Sequence, residues 1–435
     1  MINGILAIVG SPNVGKSTLF NRIIGDRLAI VDDIPGLTRD RLYGKAHWLL
    51  KDFRVIDTGG IQLENAGYQT EIRAQVAIAI EEADVILFVV DGQVGVTRDD
   101  QAVARLLYKS KKPVVLAVNK IDDGQFLGDV NEFYQLGFGN PIAVSSTHGI
   151  GVGDMLDAIV KLLPSEPQED YEGSICFSVV GRPNVGKSSL VNAILKQERV
   201  IVSAKEGTTR DAIDTAFMQE GRAYVVIDTA GLKKRGRIFE AVDKYAALRA
   251  LKAIDRSDVV LLVIDGEQGI IEQDKHVAGY AFEAHKAIII VVNKWDLVKK
   301  DQSAMADFSQ KVREQFKFLD YAPIVFVSAK NKTRIATIFE SLTVAYDGYT
   351  TRVATSLLND IVQDAQIMNP TPHFNGGRLK IYYANQVDVK PPTFVFFVNE
   401  PDFMHFSYKR YLENRLRETF HFEGSPINII TRIRK

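Results

Sequence analysis

Cysteine is almost absent from this chain: a single residue, Cys176, stands among 435. One cysteine cannot form an internal disulfide, and so low a content is typical of proteins from a reducing compartment. Cys176 lies in the apolar run Ile175–Val180, where we expect a buried strand residue rather than a nucleophile. The sequence therefore favours a cytoplasmic protein without thiol chemistry.

Long apolar segments and net charge are lacking as well. Runs such as Ala287–Val292 are far shorter than the ~20 residues that a bilayer crossing needs. The apolar N-terminal run has no basic residues before it and continues into a glycine-rich loop, so it predicts a strand rather than a signal peptide. A formal net charge of −1 excludes general attraction to nucleic acid and leaves only local basic patches.

Two nearly identical glycine-rich loops are present, and both follow the pattern G-x-x-x-x-G-K-[ST] of a phosphate-binding loop. Glycines are needed because the backbone must curl around phosphate oxygens and direct its N–H groups at them. The lysines, Lys16 and Lys187, are expected to meet the β- and γ-phosphates as catalytic residues, and the serines to hold magnesium. The loop residues expected to bind nucleotide are Gly10, Ser11, Pro12, Asn13, Val14, Gly15, Lys16 and Ser17 in the first copy, and Gly181, Arg182, Pro183, Asn184, Val185, Gly186, Lys187 and Ser188 in the second.

The loops belong to a repeat that covers most of the chain. Lys187 follows Lys16 by 171 positions (187 − 16), and an Asp-x-x-Gly motif recurs at the same spacing. An Asn-Lys-x-Asp motif and a serine-rich turn recur at slightly larger offsets. One domain has therefore been duplicated, with small insertions in the second copy. The chain divides into a first nucleotide-binding (G) domain at 1–163, an acidic, proline-containing linker at 164–173, a second G domain at 174–350, and a C-terminal domain at 351–435.

Each copy alternates Val/Ile/Leu runs of strand length with helical patterns. Such runs indicate strands covered on both faces, hence an α/β fold with a mostly parallel sheet, and all the motifs fall at the carboxyl ends of these strands. The strands expected are Ile5–Gly10, Phe53–Asp57, Val85–Asp91, Val114–Asn119 and Ile142–Ser145 in the first copy, and Ile175–Gly181, Tyr224–Asp228, Val259–Asp265, Ala287–Asn293 and Ile324–Ser328 in the second.

The Asp-x-x-Gly motifs predict the magnesium and γ-phosphate sites. Thr38 and Thr209, in Thr-Arg-Asp segments, are the expected second hydroxyl ligands and catalytic residues, with Thr208 as the alternative to Thr209. The magnesium ligands predicted are thus Ser17, Thr38 and Asp57 in one copy and Ser188, Thr209 and Asp228 in the other. The remaining residues of the two motifs expected at the nucleotide are Thr58, Gly59, Gly60 and Ile61, and Thr229, Ala230, Gly231 and Leu232.

The Asn-Lys-x-Asp motifs predict the base. Asp122 and Asp296 can each accept two hydrogen bonds from guanine, which adenine cannot offer, so the nucleotide is GTP or GDP. The turns after the next strand should reach guanine O6, and the first copy departs from Ser-Ala-Lys there, so its pocket is expected to be looser. The predicted base-site residues are Asn119, Lys120, Ile121, Asp122, Ser145 and Ser146, and Asn293, Lys294, Trp295, Asp296, Ser328, Ala329 and Lys330.

The sequence pattern of the C-terminal domain predicts helices and strands in the order α-β-β-α-β. The domain has eleven basic and eight acidic residues, which gives it a net charge of +3. Its helices are expected at Val353–Ile367 and Phe406–Phe420, and its strands at Leu379–Asn385, Thr393–Asn399 and Ile427–Arg432. Tandem G domains followed by this domain resemble the Der/EngA family of bacterial ribosome-assembly GTPases. The resemblance implies a KH-like C-terminal fold and association with the large ribosomal subunit and its rRNA. Nucleotide state would then control domain arrangement and ribosome affinity.

Two alternatives stay open: a GTPase switch directed at a protein partner, and a GTPase that assists RNA modification. Nothing in the sequence points to oligomerisation, so a monomer is expected. The C-terminal domain has no clean G-x-x-G loop, Gly376–Gly377 being the nearest feature, which weakens the expectation of RNA binding by the usual KH loop. The domain could instead pack between the G domains.

The glutamine that positions water in many GTPases is missing, because Ile61 and Leu232 stand in its place. The resemblance points to relatives in which a loop asparagine helps to hold potassium beside the phosphates. Asn13 and Asn184 occupy that position and are expected to bind potassium as catalytic residues, the alternative being that each only stabilises its turn. A basic run, Lys233–Arg237, occurs in the second copy alone, either as a solvated loop or as a contact for RNA or the neighbouring domain.

Overall fold

The structure is a computed structural model of the chain. It describes residues 2–25, 43–58, 76–77, 79–80, 83–122, 124–164, 171, 173–196, 200–202, 214–229, 243–298 and 303–434. These residues form two compact units, one within 1–169 and 237–249 and the other within 170–236 and 250–435. The predicted boundaries at 163, 173 and 350 stay predictions, and most of the linker lies outside the described residues.

The first unit is built on a six-stranded sheet in the order β2-β3-β1-β4-β5-β6, in which only β2 runs antiparallel to its neighbour. Apolar cores cover both faces, as continuous runs such as that of β4 require. The strands are β1 (Ile2–Val9), β2 (Tyr43–Trp48), β3 (Lys51–Asp57), β4 (Val85–Asp91), β5 (Val114–Asn119) and β6 (Ile142–Ala143). The helices are α1 (Lys16–Ile24), α2 (Arg98–Ser110) and α3 (Val152–Leu162), with a 3₁₀ segment at Gly124–Leu136.

The second unit repeats this plan with seven strands in the order β13-β12-β11-β7-β10-β9-β8. Its strands are β7 (Ile175–Val180), β8 (Val200–Val202), β9 (Thr215–Gln219), β10 (Arg222–Val226), β11 (Val259–Asp265), β12 (Ala287–Asn293) and β13 (Ile324–Phe326). Its helices are α4 (Lys187–Leu195), α5 (Asp243–Arg256, of which 250–256 belong to this unit), α6 (Glu272–Glu283), α7 (Ala304–Gln315) and α8 (Ala336–Thr350).

The structure confirms the mostly parallel α/β fold but corrects some predicted strands. Three antiparallel strands, β2, β8 and β9, were not predicted. Polar residues interrupt the apolar pattern of β2 and β9, and β8 has only three residues, so none of them has an apolar run of strand length. The strand predicted at Tyr224–Asp228 ends at Val226, and Asp228 has a left-handed backbone, with φ 57°. The strands predicted to reach Ser145 and Ser328 end at Ala143 and Phe326, which leaves both serines in the turns that follow.

The C-terminal domain has the predicted α-β-β-α-β order. Helices α9 (Thr355–Met368) and α10 (Phe406–Thr419) pack on a sheet in which β17 pairs antiparallel with β16 and parallel with β18. The strands of this domain are β14 (His373–Phe374), β15 (Gly377–Arg378), β16 (Ile381–Val389), β17 (Pro392–Val398) and β18 (Asn428–Ile433). The hairpin β14–β15 is an addition to the predicted pattern. Its two-residue strands are too short to leave a periodic signal.

This domain packs directly on the second G domain within the same unit. The N–H of Ile288 donates to the carbonyl of Gly424 at 2.8 Å, which joins the loop after α10 to the start of β12. Lys390 forms an ion pair with Asp258, and the Arg417 guanidinium lies 4.7 Å from the centre of the Tyr321 ring. Backbone, ionic and ring contacts therefore fasten the two together.

Cys176 is a strand residue, as predicted, but it is half-buried rather than buried. Burial and, next, the charge of Asp258 raise the pKa of its thiol to about 12. The thiolate is therefore scarce at neutral pH, in agreement with a residue that is not a nucleophile. Among the described helices, none combines the length and apolar character that a bilayer crossing requires.

Candidate guanine-nucleotide sites

The first phosphate loop connects β1 to α1, and its geometry requires its glycines. A Cβ atom on Gly10 would lie 2.2 Å from the carbonyl oxygen of Val89. Gly15 has φ 94°, and a Cβ there would lie 2.3 Å from Nδ2 of Asn119. Gly15 is also the N-cap of α1, so the first N–H groups of the helix have no capping side chain from it. They are available to a phosphate anion, which the helix dipole also favours.

The two phosphate-loop lysines make the same contacts. Lys16 Nζ donates to the carbonyls of Gly10 and Ser11 at 2.9 and 2.8 Å. Lys187 Nζ donates to the corresponding carbonyls of Gly181 and Arg182, both at 2.7 Å. Each ammonium therefore lies over its own loop, in the place where a phosphate would bind.

Burial lowers the pKa of both lysines. For Lys16 the negative charge of Asp57 opposes this effect. The pKa of Lys187 falls to about 8, where burial is opposed by Asp274 and reinforced by the positive charge of Arg182. Desolvated ammonium groups of this kind gain most when an anion enters the site.

The predicted magnesium ligands of the first copy meet in the structure. Ser17, in the first turn of α1, donates its hydroxyl to the carboxylate of Asp57, the last residue of β3, at 2.6 Å. Two hard oxygen donors side by side at a phosphate loop suit Mg²⁺. In the second copy, Ser188 lies in the first turn of α4, and the N–H of Asp228 donates to the Asp214 carboxylate at 2.9 Å.

Eight predicted site residues lie outside the described part of the chain, so their roles stay predictions. They are Thr38, Gly59, Gly60, Ile61, Thr209, Ala230, Gly231 and Leu232. The basic run at 233–237 lies outside it as well.

The loop asparagines predicted to bind potassium share an unusual backbone conformation. Asn13 and Asn184 have φ 64° and 66°, in the left-handed region. Asparagine tolerates this region better than most residues with a side chain. The conformation therefore accounts for an asparagine whether or not an ion binds there.

The asparagine of each Asn-Lys-x-Asp motif ties the base loop to the phosphate loop. Asn119 Nδ2 donates to the carbonyl of Val14 at 2.7 Å, and its Oδ1 accepts from the N–H of Ser146 at 2.9 Å. Asn293 repeats both bonds, to Val185 at 2.9 Å and from Ala329 at 3.0 Å. Each of these two asparagines thus uses both the nitrogen and the oxygen of its side-chain amide to hold the two loops together.

The base-reading aspartate of the first copy is oriented by a neighbouring serine. The buried Ser145 hydroxyl donates to the Asp122 carboxylate at 2.5 Å and accepts the N–H of His148 at 3.1 Å. In the second copy the corresponding hydroxyl, on Ser328, accepts the N–H of Asn331 at 3.1 Å. In both turns the serine hydroxyl thus accepts the N–H of the residue three positions later.

Two further aspartates, which the sequence motifs did not identify, contact the motif lysines. Asp91 and Asp265, at the ends of β4 and β11, accept hydrogen bonds from Lys120 Nζ at 2.5 Å and Lys294 Nζ at 2.6 Å. Burial raises the pKa of Asp265, but hydrogen bonds from Lys294 and from backbone N–H groups outweigh it, so the pKa is lowered. A shared Asp-Gly at the end of an apolar run was the available signal.

The second residue of each phosphate loop is anchored differently. The Ser11 hydroxyl donates to Asp100 at 2.8 Å. Arg182 instead forms an ion pair with Asp274 at 3.2 Å and donates to Gln268 at 2.7 Å. Burial raises the pKa of Asp274 despite the arginine. The first copy therefore uses a hydroxyl where the second uses a buried charge.

The residue before the base-reading aspartate differs as well. Trp295 packs against Phe326 and Phe308, with ring centres 4.4 and 5.6 Å away. Ile121 takes its place in the first copy and lines a cavity of about 480 Å³, together with Tyr134 and Ile150. The predicted looser pocket of the first copy stays a prediction.

Family models match all three domains. One described as a 50S ribosome-binding GTPase matches residues 5–120 and 176–294, and one described as the C-terminal KH-domain-like region of EngA bacterial GTPase enzymes matches residues 352–432. Among curated proteins, GTPase Der of Macrococcus caseolyticus is 58% identical over the whole of both chains. GTPase Der of Staphylococcus aureus (strain Newman) is 59% identical, also over the whole of both chains.

Solved structures match single parts of the chain. The G-domain of FeoB from Methanococcus jannaschii is 26% identical, covering 37% of this chain and 98% of that one, with a TM-score of 0.29. Era from Aquifex aeolicus bound to GDP and AlF4⁻ is 19% identical, covering 59% and 92%, with a TM-score of 0.31.

Proposed function

The chain belongs to the Der family of GTPases, and on that basis we propose that it acts in the cytoplasm in assembly of the large ribosomal subunit. Relatives 58% identical over its full length confirm the family and the GTPase activity, and the family models confirm the fold class. The observation that carries the proposal is that both copies connect a phosphate loop to a base loop in the same way. Asn119 and Asn293 each join a phosphate loop to a base loop.

We infer that GTP binds with its phosphates over Lys16 or Lys187 and its base at Asp122 or Asp296. Each lysine would exchange its two carbonyl contacts for contacts with phosphate oxygens. The negative phosphate would stabilise the charged ammonium group, which burial disfavours. Magnesium, when bound, would offset phosphate charge. The Ser17–Asp57 pair and the corresponding Ser188 and Asp228 supply suitable oxygen donors. Water then attacks the γ-phosphate in line, leaving GDP and phosphate.

We propose that the protein is a monomer and that nucleotide state sets its domain arrangement and its affinity for the large subunit and rRNA. The family model described as a 50S ribosome-binding GTPase supports this partner. The basic C-terminal domain, at +3, could contact rRNA phosphates.

Sedimentation with ribosomal subunits tests this function. The protein should pellet with the large subunit to an extent that differs between GTP, GDP and no nucleotide. The variant Asp122→Asn/Asp296→Asn is the control, since it should lose the response to GTP and regain it with XTP, whose O2 can accept from the new amide. Association with neither subunit in any state would contradict the proposal and favour a switch with a protein partner.

A further inference from the structure

One face of the C-terminal sheet is aromatic and basic. Along β17, Phe394, Phe396 and Val398 point to the core formed with α9 and α10. Their neighbour Phe397 therefore points to the opposite face, since side chains alternate along a strand. Phe397 is paired with Tyr383 of β16 on one side and with Arg432 of β18 on the other. All three strands thus contribute to the same outer surface.

The aromatic rings on this surface are ordered and flanked by cations. The rings of Tyr383 and Phe397 stack with centres 4.3 Å apart and planes 16° apart. Lys380 Nζ lies 5.2 Å from the centre of the Tyr382 ring, and the Arg434 guanidinium lies 4.9 Å from it. The register of β16 shifts between Ile381 and Tyr383, which interrupts the alternation there, so the adjacent Tyr382 and Tyr383 are both exposed while Ile381 and Ala384 on either side are buried. We call this surface the aromatic face; it consists of Lys380, Tyr382, Tyr383, Phe397, Arg432 and Arg434.

The rings of the aromatic face remain open to a ligand. Tyr382 and Tyr383 are 39% and 37% exposed, although aromatic rings usually bury most of their area. Arg432 and Arg434 are exposed beside them. Stacking rings bordered by cations are the combination with which proteins bind single-stranded nucleic acid, through base stacking and phosphate contacts.

The loop at Gly376–Gly377, the feature most similar to a KH recognition loop, is exposed at Gly376 but held against a neighbouring turn. Gly377 lies against the ring of Phe403, which a Cβ at that position would approach to 2.1 Å. The side chain of Asn375 donates to the carbonyl of Asp402 at 2.9 Å. Ring packing and a hydrogen bond therefore fasten this loop to the Pro401–Phe403 turn.

We propose that the aromatic face binds single-stranded RNA by stacking bases on Tyr382 and Tyr383, with Lys380, Arg432 and Arg434 on the phosphates. This inference rests on the proposed function in ribosome assembly, and it assigns RNA to the sheet rather than to the loop at Gly376–Gly377. A duplex would bind more weakly, because its bases are already stacked on one another.

Fluorescence anisotropy with the full chain tests the proposal, using a labelled 12-nucleotide single-stranded RNA and a duplex of the same sequence. The variant Tyr382→Ser/Tyr383→Ser should bind the single strand roughly tenfold more weakly or worse, since both rings on which bases stack are lost. Tyr382→Phe/Tyr383→Phe keeps both rings and should bind as the wild type does. Arg434→Gln should lower the slope of log affinity against log salt by about 0.7.

The matched control is Phe406→Ser, which removes a 70% exposed ring at the start of α10, outside the aromatic face. This variant should bind RNA like the wild type. Loss of binding with Phe406→Ser but not with Tyr382→Ser/Tyr383→Ser would overturn the proposal. Equal affinity of the wild type for single strand and duplex would overturn it too.

Sedimentation with ribosomal subunits separates this inference from the proposed function. If the wild type pellets with the large subunit but does not bind the oligonucleotide, RNA binding by the aromatic face is disproved and the proposed function is not affected. If the wild type binds the oligonucleotide through Tyr382 and Tyr383 but does not pellet with the large subunit, the ribosomal function is disproved and RNA binding by the aromatic face is supported.

Discussion

The two G domains share the contacts that the motif lysines and asparagines make with the loop backbone, and they differ in the side chains that anchor the phosphate loop. The contacts of Lys16 and Asn119 recur at Lys187 and Asn293 with distances that agree within a few tenths of an ångström. Behind the phosphate loop, however, a hydroxyl–carboxylate bond in one copy becomes an arginine–carboxylate pair in the other. The motif therefore constrains what touches the nucleotide, while the residues that anchor the loop are free to diverge.

The largest expected effect concerns this anchor in the second copy. Arg182→Ser should destabilise that domain by about 3–5 kcal/mol, because it leaves the buried Asp274 without its partner. Urea unfolding followed by fluorescence measures this. The chain has two tryptophans, one in each copy, so a Trp48→Phe background leaves Trp295 as the reporter.

Adding Asp274→Asn to Arg182→Ser should restore part of the lost stability, since no unpaired charge then remains. Arg182 Nη2 and Asp274 Oδ1 have no hydrogen-bond partner within the described structure, which favours the lower end of the range. If Arg182→Ser lowers the free energy of unfolding by less than about 1 kcal/mol, the ion pair is not what anchors the second phosphate loop.

The next largest effect sharpens the comparison of the base sites. Asp122→Asn and Asp296→Asn should each weaken GTP binding in their own domain by a hundredfold or more, because two hydrogen bonds to a charged group contribute roughly 1.5–3 kcal/mol each. Titration calorimetry of the two-site chain measures both. A looser first pocket predicts a smaller loss for Asp122→Asn, and equal losses would contradict that difference.

A smaller effect is expected at the anchor of the first copy. Ser11→Ala should cost about 1.5–3 kcal/mol, since it removes one hydrogen bond to a charged group. Asp100 keeps its bonds from Thr97 at the start of α2, which limits the loss. Urea unfolding with Trp48 as the reporter, in a Trp295→Phe background, gives the value. If Ser11→Ala and Arg182→Ser lower the free energy of unfolding equally, the two phosphate loops are not anchored with different strength.

The smallest effect concerns potassium. If Asn13 and Asn184 help to bind it, GTP hydrolysis should be roughly tenfold faster in potassium than in sodium, about half the free energy that one oxyanion donor supplies. Steady-state phosphate release at matched ionic strength measures the ratio, and Asn13→Gly and Asn184→Gly show which copy responds. Identical rates in both salts would leave the asparagines with a structural role only.

Several contacts could not be predicted from the sequence because their partners are distant along the chain. Ser11 and Asp100 are 89 positions apart, and Arg182 and Asp274 are 92 apart. No local period marks such a pair. The contacts of Asn119 with Val14 and Ser146 likewise join segments that are 105 and 27 positions apart, and the Asn-Lys-x-Asp motif does not encode them.

The sequence by itself determined the duplicated G domain, the guanine nucleotide and the order of elements in the C-terminal domain. These follow from short motifs and from apolar runs, whose backbone requirements are local. Only the tertiary structure decided which side chains anchor each loop and that Tyr383, Phe397 and Arg432 share one surface. Strand pairing brings together residues from three separate segments, and no spacing within one segment encodes that register.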